Sequence, residues 1–437
     1  MVLTLVISIL VFVVLFVSII FFPSFKIKNT KIGTFWIIAL VGAILLLACG
    51  SVPIKEVFNK LTADSAINPI KILILFLSMT FLSIFLDEMG LFKWAAMKAV
   101  KLAHNRQISI FISIYLVAAI LTTFTSNDIV ILTLTPFICF FCKHTKVNPI
   151  PYLIGEFVAA NTFSMMLIIG NPTNIYLATS QGITFIEYLK VMFCPTMFAG
   201  IVELLLVLLI FNKSLKKPIE KVYTSTLIKD KEDTIVGVVH LGICLVFLII
   251  SSYIDVGMWL VSLLCATSLF IYVFITRFIK KNKDATLFNT ISRLPWELIP
   301  FVLSMFIIII ALEYHGIVEK IVNFLSNGNT TFVYGTTSFL ACNIINNIPM
   351  SMLYSHLIAT LGESEVMQAT YASIIGSNIG AFLTPIGALA GIMFTSLTEK
   401  YETKLNFKTF ILYGSIISIP VLLVSLGTLA LIFYWDF

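Results

Sequence analysis

The chain has 437 residues, of which 59% are hydrophobic and 11% are charged, and its formal net charge is +6. Soluble domains carry about a quarter charged residues, so this composition excludes an ordinary water-soluble enzyme or binding module. Repeated apolar runs of about 20 residues predict an all-α polytopic membrane protein. The modest positive charge is typical of basic loops beside a membrane, so the lipid bilayer is an expected partner and nucleic acid is not.

Ten apolar runs are long enough to be membrane spans. The first lacks a basic start and a small-residue cleavage site, which predicts a retained span. The runs lie near residues 2–22, 33–52, 70–87, 149–180, 188–212, 235–253, 257–276, 296–313, 368–398 and 409–434. The lysines and arginines between them predict a multi-pass protein of the cytoplasmic (inner) membrane with its N- and C-termini outside.

Two further apolar runs, 108–142 and 331–360, are divided by short polar stretches. In the first run each apolar arm has about 14 residues, which is too short for a comfortable crossing of a core of about 30 Å. Polar, irregular backbone at that depth is tolerated only when it is buried in protein or lines a cavity. Each run is therefore predicted to be a re-entrant helical hairpin whose polar tip holds a solute. The tips are Thr125, Ser126, Asn127 and Asp128 in one hairpin, and Asn346 and Asn347 in the other.

Four landmarks recur in the same order in the two halves of the chain. They are Asp87 with Gly90, Asn127, Asn161 and Gly170 in the first half, and Glu313 with Gly316, Asn347, Asn378 and Gly387 in the second. The lysine distribution lets the first hairpin enter from the cytoplasm and the second from outside. This predicts two inverted repeats, 1–212 and 235–437, joined by a cytoplasmic linker over 213–234, as in many secondary transporters.

Glycine and proline interrupt one span in each half, 149–180 and 368–398. The interruptions read Gly170-Asn171-Pro172-Thr173-Asn174 and Thr384-Pro385-Ile386-Gly387. They free backbone N–H groups, which favour anions, and carbonyl groups, which favour Na⁺ or H₃O⁺. The predicted substrate- and ion-binding residues are Thr125, Ser126, Asn127, Asp128, Asn161, Gly170, Asn171, Thr173, Asn174, Asn346, Asn347, Ser377, Asn378, Thr384 and Gly387.

Acidic side chains within apolar runs are candidates for coupling transport to an ion gradient. Asp128 is the first candidate because it adjoins a polar tip, and Glu156 and Glu203 follow. A structural hydrogen bond explains Glu203 equally well, and His240 is expected to be an interhelical donor. The acids at predicted helix ends are expected to be solvated: Asp87, Asp255 and Glu313.

The sequence contains no Walker A, HExxH or GxSxG motif. We therefore predict a transporter and no enzyme, with no cofactor and no metal site, driven by an H⁺ or Na⁺ gradient. The seven cysteines are expected to be free thiols. A homodimer and a separate cytoplasmic ATPase subunit are the protein partners considered.

Four motifs resemble the ion transporter superfamily, in particular its ArsB/NhaD group of arsenite pumps and anion permeases, with the DASS dicarboxylate transporters as distant kin. They are FLDEMGLFKWAA at 85–96, TSNDIVILTLTP at 125–136, NIINNIPMSML at 343–353 and GSNIGAFLTPIGALAGIMF at 376–394. The resemblance extends over about residues 30–430. It implies two inverted halves, each with a re-entrant hairpin and a broken helix at the midplane, and a transport site between the hairpin tips and the helix breaks.

The resemblance leaves the substrate open. Arsenite or antimonite efflux coupled to the proton gradient is the leading hypothesis. Arsenite pumps usually have Gly-Pro-Lys where this chain has Gly380-Ala381-Phe382, and the Gly170–Asn174 break is similar to the anion and dicarboxylate branches. The alternatives are a Na⁺-coupled anion or dicarboxylate symporter, a Na⁺/H⁺ antiporter and, in another class, a receptor or scaffold that transports nothing.

Overall fold

Within the described residues the chain is almost entirely helical. The computed structural model describes residues 1–22, 24–27, 30–63, 68–103, 106–219, 228–251, 253, 256–279, 285–325, 328–403 and 405–435. The first half contains α1 (Val2–Phe21), β1 (Ser24–Ile27), β2 (Thr30–Gly33), α2 (Phe35–Ala48), α3 (Ile54–Thr62), α4 (Pro69–Glu88), α5 (Leu91–Leu102), α6 (Gln107–Phe124), α7 (Asn127–Thr145), α8 (Ile150–Ser164), a 3₁₀ turn (Ile168–Gly170), α9 (Pro172–Ser180) and α10 (Phe185–Leu215). The second half contains α11 (Lys231–Ser251), α12 (Met258–Ile279), α13 (Thr286–Ser292), α14 (Leu298–Tyr314), α15 (Ile317–Leu325), α16 (Thr330–Ile345), α17 (Asn347–Ile358), α18 (Glu363–Gly380), α19 (Leu389–Lys400) and α20 (Phe407–Trp435).

The long helices confirm the predicted class, an all-α polytopic membrane protein. Seven described helices (α4, α6, α7, α10, α11, α12 and α20) are long and apolar enough to cross a membrane. The pair α14 and α15, bent by 83°, makes an eighth candidate. The other predicted spans correspond to the shorter apolar helices α1 and α2 and to the interrupted helices α8/α9 and α18/α19. The total of ten spans stays a prediction.

The arms of the first hairpin are longer than the sequence suggested. Helices α6 and α7 have 18 and 19 residues, so the argument that each arm is too short to cross the membrane was wrong. The polar residues before the tip do not end α6, because Thr123 Oγ1 donates to Ala119 O at 2.9 Å within the helix. In the second hairpin α16 and α17 have 16 and 12 residues. Re-entrance of either hairpin stays a prediction.

The order of elements recurs in the two halves. A long helix (α4 or α14) ends before a glycine with positive φ, Gly90 at 85° or Gly316 at 66°, and a short helix follows (α5 or α15). A helix pair split at a polar tip comes next, then an interrupted helix, and then a long helix with an internal proline, Pro195 or Pro420. The matched landmarks therefore occupy matched elements. The inverted orientation and the domain boundaries stay predictions.

The helices before the two breaks lie at the centre of the protein. Every residue of α8 from Pro151 to Ser164 is buried, and so is α18 from Ala369 to Gly380. Aromatic contacts join the two halves around them, with the Phe157 ring centroid 4.5 Å from that of Phe394. Burial on every side allows polar residues in α8 and α18 to pair with other protein groups away from lipid.

Two acids that the sequence placed in solvent are instead paired. Asp87 is buried at the end of α4, and its carboxylate lies 2.6 Å from Arg293, which follows α13. Glu313, near the end of α14, pairs with Lys60 of α3 at 2.8 Å. The expectation of solvation was wrong for Asp87, which another element covers, whereas Glu313 is paired but keeps 34% of its side chain exposed. Asp255 lies outside the described residues.

The connections between helices also differ from simple loops. Strands β1 and β2 form an antiparallel pair after α1, with Ser24 opposite Gly33, where the sequence suggested only a basic loop. The predicted linker over 213–234 is shortened at both ends, since α10 continues to Leu215 and α11 begins at Lys231. Residues 220–227 of that linker lie outside the described residues.

Candidate functional site

The first hairpin tip lies against α8. Helix α6 ends at Phe124 and α7 begins at Asn127, with Thr125 and Ser126 between them. The Asn127 side chain donates from Nδ2 to Asn161 Oδ1 at 3.1 Å, and its Oδ1 accepts from the Asp128 backbone N–H at 2.9 Å. Asn127 therefore fixes the start of α7 and joins the tip to α8.

The first break closes on itself through side-chain amides. Asn171 caps α9, because its Oδ1 accepts from the backbone N–H of Thr173 at 3.1 Å and from its hydroxyl at 2.9 Å. Asn174 Nδ2 donates to Ser164 O, one of the free carbonyls at the end of α8, at 2.8 Å. A Cβ at Gly170 would lie 2.1 Å from Ser164 O, so only glycine fits this close approach. These residues stabilise the break itself.

The second hairpin tip lies against the second break. Asn346 has φ 69° and ψ 156°, a backbone conformation that residues other than glycine rarely adopt, and its Nδ2 donates to Ile386 O at 2.9 Å. The backbone N–H of Asn347 donates to Gly387 O at 3.0 Å. Asn347 of the tip and Gly387 of the break are thus in direct contact.

Asn343 is a site residue that the sequence analysis did not single out. It lies one turn before the tip of α16, and its Nδ2 donates to Gly380 O at 2.9 Å. Its Oδ1 accepts from the Thr384 hydroxyl at 2.6 Å and from the Thr384 backbone N–H at 3.1 Å. The feature of the sequence that could have identified Asn343 is an amide side chain inside an apolar hairpin arm. Asn343 holds together the two sides of the second break.

Replacing Asn343 with alanine should lower the transport rate while the protein still folds. The substitution removes partners from Thr384 and from the last carbonyl of α18, which loosens the break without creating a large cavity. Initial rates in membrane vesicles, normalised to the amount of folded protein, measure the effect. Asn329→Ala is the matched control, because Asn329 caps the other end of α16 and is exposed. Equal rates for both variants would contradict a role for Asn343 in the site.

The two breaks meet at Asn378. Its Oδ1 accepts from Ser164 Oγ at 2.9 Å and from Asn171 Nδ2 at 3.1 Å. Its Nδ2 donates to Asn174 Oδ1 at 2.7 Å and to Ile374 O of its own helix at 2.8 Å. A weaker contact of 3.5 Å joins the hydroxyls of Ser377 and Thr173. These contacts bring together residues more than 200 positions apart in the chain.

The predicted site residues divide into two groups. In the first group the side chains hydrogen-bond to one another and to the backbone, so these residues form the frame of the site. They are Asn161, Asn171, Thr173, Asn174 and Asn378. The second group has free capacity: among the described residues, the buried atoms Ser126 Oγ and Asn347 Oδ1 have no hydrogen-bond partner. One such group lies at each hairpin tip, which is where a bound solute would complete the hydrogen bonding.

The three acidic coupling candidates have different surroundings. Glu156 accepts from Thr135 Oγ1 at 3.0 Å, and Glu203 accepts from Tyr115 OH at 2.9 Å and from Thr162 Oγ1. Both are fully buried in helix contacts. Asp128 is only partly buried in the first turn of α7, and its carboxylate makes no hydrogen bond or ion pair within the described part of the chain. Asp128 is therefore the acid that is free to interact with a solute or a proton.

The tips and breaks contribute no basic side chain. The segments that form them, 125–128, 161–174, 343–347 and 377–387, include no lysine, arginine or histidine. Within these segments, positive potential comes from the starts of helices such as α7 and α17, each equivalent to about half a charge. Neutral amides and hydroxyls with one carboxylate suit a small neutral or weakly charged solute better than a multiply charged anion.

Comparison with known proteins identifies the family of the chain. Residues 19–376 match the family model described as citrate transporter, CitMHS. The arsenical pump membrane protein of Escherichia coli K12 is 27% identical over 415 residues, which cover 90% of this chain and 92% of that protein. The putative arsenical pump membrane protein of Bacillus subtilis is 25% identical over 449 residues, covering 93% and 97%.

A solved structure has the same fold. The Alcanivorax borkumensis YdaH transporter superposes with a TM-score of 0.56 at 12% sequence identity, covering 100% of this chain and 98% of that one. The predicted resemblance to the ion transporter superfamily is confirmed. The chain belongs to the citrate transporter family of that superfamily and is a secondary transporter embedded in the membrane.

Proposed function

We propose that this transporter exports trivalent arsenite or antimonite across the bacterial cytoplasmic membrane in exchange for protons. The observation that carries the proposal is the neutral, amide-rich site with free acceptors at both tips and no basic residue. Arsenite is As(OH)₃ at neutral pH, an uncharged solute with three hydroxyl groups. Such a solute can donate to Ser126 Oγ and Asn347 Oδ1 without needing a cation. The names of the Escherichia coli and Bacillus subtilis relatives support the same substrate.

We propose that Asp128 carries the proton. Its carboxylate lies next to the Ser126 and Asn127 tip and has no partner of its own among the described residues. Protonation of Asp128 would remove its negative charge from the tip when the solute leaves, and deprotonation of Asp128 would restore that charge. We further propose that both termini lie outside and that the chain catalyses no chemical reaction. A homodimer and a cytoplasmic ATPase subunit stay proposals from the resemblance.

Transport in everted membrane vesicles tests the substrate. Respiring vesicles from cells that express the chain should accumulate arsenite, and nigericin, which collapses the pH gradient, should stop the accumulation. Vesicles from cells without the protein set the background. If citrate or Na⁺ moves under the same gradient and arsenite does not, the metalloid proposal is wrong and the matching alternative in the superfamily takes its place.

Replacing Asp128 with asparagine should abolish accumulation driven by the pH gradient. Asparagine keeps the size and hydrogen-bonding capacity of the side chain but cannot carry a proton. Glu203→Gln is the matched control, because the glutamine oxygen can accept from Thr162 and its amide N–H can donate to the Tyr115 hydroxyl, which donates to Gly200 O. We expect that variant to retain transport. Loss of accumulation in Glu203→Gln with full activity in Asp128→Asn would reverse the assignment.

A second candidate function is symport of citrate, favoured by the matched family model. The starts of α7 and α17 at the two tips could receive carboxylate groups, because helix N-termini present free N–H groups. Competition distinguishes the two functions. Excess citrate should leave arsenite accumulation unchanged under the first proposal, whereas under the second labelled citrate should be transported and arsenite should not accumulate.

A further inference from the structure

A group of three sulfur atoms lies in the contact of α4, α11 and α12, outside the site described above. Cys244 of α11 is fully buried, and its thiol donates to Met79 Sδ of α4 at 3.6 Å. Cys265 of α12 is half-buried and is a free thiol, as is Cys244. None of the tip or break residues contributes to this group.

The pairing of α11 with α12 brings the two thiols together. Asp233 pairs with Arg277 at 2.6 Å at one end of the contact, and His240 Nε2 lies 3.2 Å from Ser268 Oγ farther along. From the first contact to the second, the residue number rises along α11 and falls along α12 by a similar amount, as expected for antiparallel helices. One turn beyond His240 this register sets Cys244 of α11 opposite Cys265 of α12.

The chemistry of two facing thiols beside a thioether favours a soft, thiophilic ligand. The location adds a second condition, because uncompensated charge is costly within membrane-spanning helices. A soft cation held by two thiolates would leave a net negative charge there. A trivalent metalloid hydroxide avoids this cost, since it condenses with two neutral thiols: As(OH)₃ + 2 RSH → (RS)₂As–OH + 2 H₂O. Two As–O bonds are exchanged for two As–S bonds, the thiol protons leave in water, and arsenic stays trivalent.

We propose that Cys244 and Cys265 form a dithiol site for trivalent arsenic or antimony compounds, with Met79 as a third sulfur contact. The bound species would link α11 to α12 covalently but reversibly. Binding at this site does not depend on the proposed transport function, since a protein that transports citrate would bind the metalloid at the same thiols.

Phenylarsine oxide is the probe, because PhAsO + 2 RSH → (RS)₂AsPh + H₂O gives an equally neutral product. The full-length protein, purified in lipid nanodiscs, is treated with the probe and analysed by intact and peptide mass spectrometry. We use the double variant Cys139→Ser/Cys142→Ser as background, because those two buried cysteines lie one turn apart on α7 and have the C-x-x-C spacing. The expected result is one adduct that joins the peptides of Cys244 and Cys265 and is released by dimercaptopropanol.

Single variants decide whether the adduct needs both thiols. Cys244→Ser and Cys265→Ser should each lose it, whereas Cys49→Ser, at an exposed cysteine, should keep it. Met79→Leu should weaken binding by about tenfold, as is common for a supporting group around a bound ion. Two different serine variants are available, so misfolding of one leaves the other informative. An adduct that persists in both serine variants, or binding of Ag⁺ with no binding of phenylarsine oxide or arsenite, would overturn the proposal.

Discussion

Replacing Asn378 with alanine is expected to abolish transport and to destabilise the protein. The variant leaves Asn171 Nδ2 and Asn174 Oδ1 without the partner that now satisfies them, whereas Ser164 Oγ keeps its bond to Asn161 O. Each buried polar group without a partner costs about 1–3 kcal/mol, so the free energy of unfolding should fall by about 2 kcal/mol or more. Among the described residues, asparagine side chains of the two breaks hydrogen-bond to each other only at Asn378, and the variant removes these bonds.

Two measurements test this expectation. Arsenite accumulation in vesicles should fall to background, and thermal unfolding of the detergent-solubilised protein should shift to lower temperature. Asn406→Ala is the matched control, since the side chain of the exposed Asn406 bonds, among the described residues, only to Thr409 at the start of α20. In a double-mutant cycle, Asn171→Ala and Asn378→Ala should not be additive, because the two side chains contact each other. Additive effects, or normal transport by Asn378→Ala, would show that the breaks act separately.

Replacing Gly376 with alanine is expected to disrupt the contact of α16 with α18. A Cβ at this position would lie 2.0 Å from Ser338 Oγ and 2.2 Å from Gly335 O. The serine side chain can rotate away, but the Gly335 carbonyl belongs to the backbone of α16, so the helices must separate. Small residues at helix contacts in membranes permit this close approach. Forcing extra volume into a packed contact costs about 1–3 kcal/mol. The second hairpin would then lose its packing against α18.

The same substitution at Gly427 of α20 provides the control. A Cβ there would meet nothing within 4 Å, so Gly427→Ala should be neutral or stabilising by up to about 1 kcal/mol. Thermal unfolding and vesicle transport of the two variants measure the difference. We expect Gly376→Ala to lose both stability and transport. A Gly376→Ala protein as stable as Gly427→Ala would mean that α16 and α18 can move apart at little cost.

Part of the site could be predicted from the sequence, because its tips and breaks are short polar or helix-breaking stretches within otherwise apolar runs. Polar residues, glycine and proline stand out in apolar runs, so both tips and the second break were found where the structure has them, whereas the first break begins at Met165, before the predicted Gly170. The recurrence of these landmarks also indicated which tip belongs with which break. In the structure Asn127 contacts Asn161, and Asn347 contacts Gly387.

The roles of individual residues could not be read in this way. The sequence treated all the amides as equivalent ligands, whereas Asn171, Asn174 and Asn378 bind one another and Asn347 keeps a free oxygen. Asn343 was missed because its importance comes from the position of Thr384 in another element. Polar groups in a membrane protein must be satisfied by whichever group packs against them, and packing is not encoded at any fixed spacing.

The sequence by itself determined the class of the protein, the positions of its apolar helices and the places where they are interrupted. Those properties depend on the transfer of each short segment from water to lipid, which is a local quantity. Only the tertiary structure decided which charges are paired and which amides are free. The ion pair of Asp87 with Arg293 and the junction of the breaks at Asn378 each join residues about 200 positions apart. Such contacts arise when whole helices pack, because a buried polar group is stable only beside a partner that the fold brings to it.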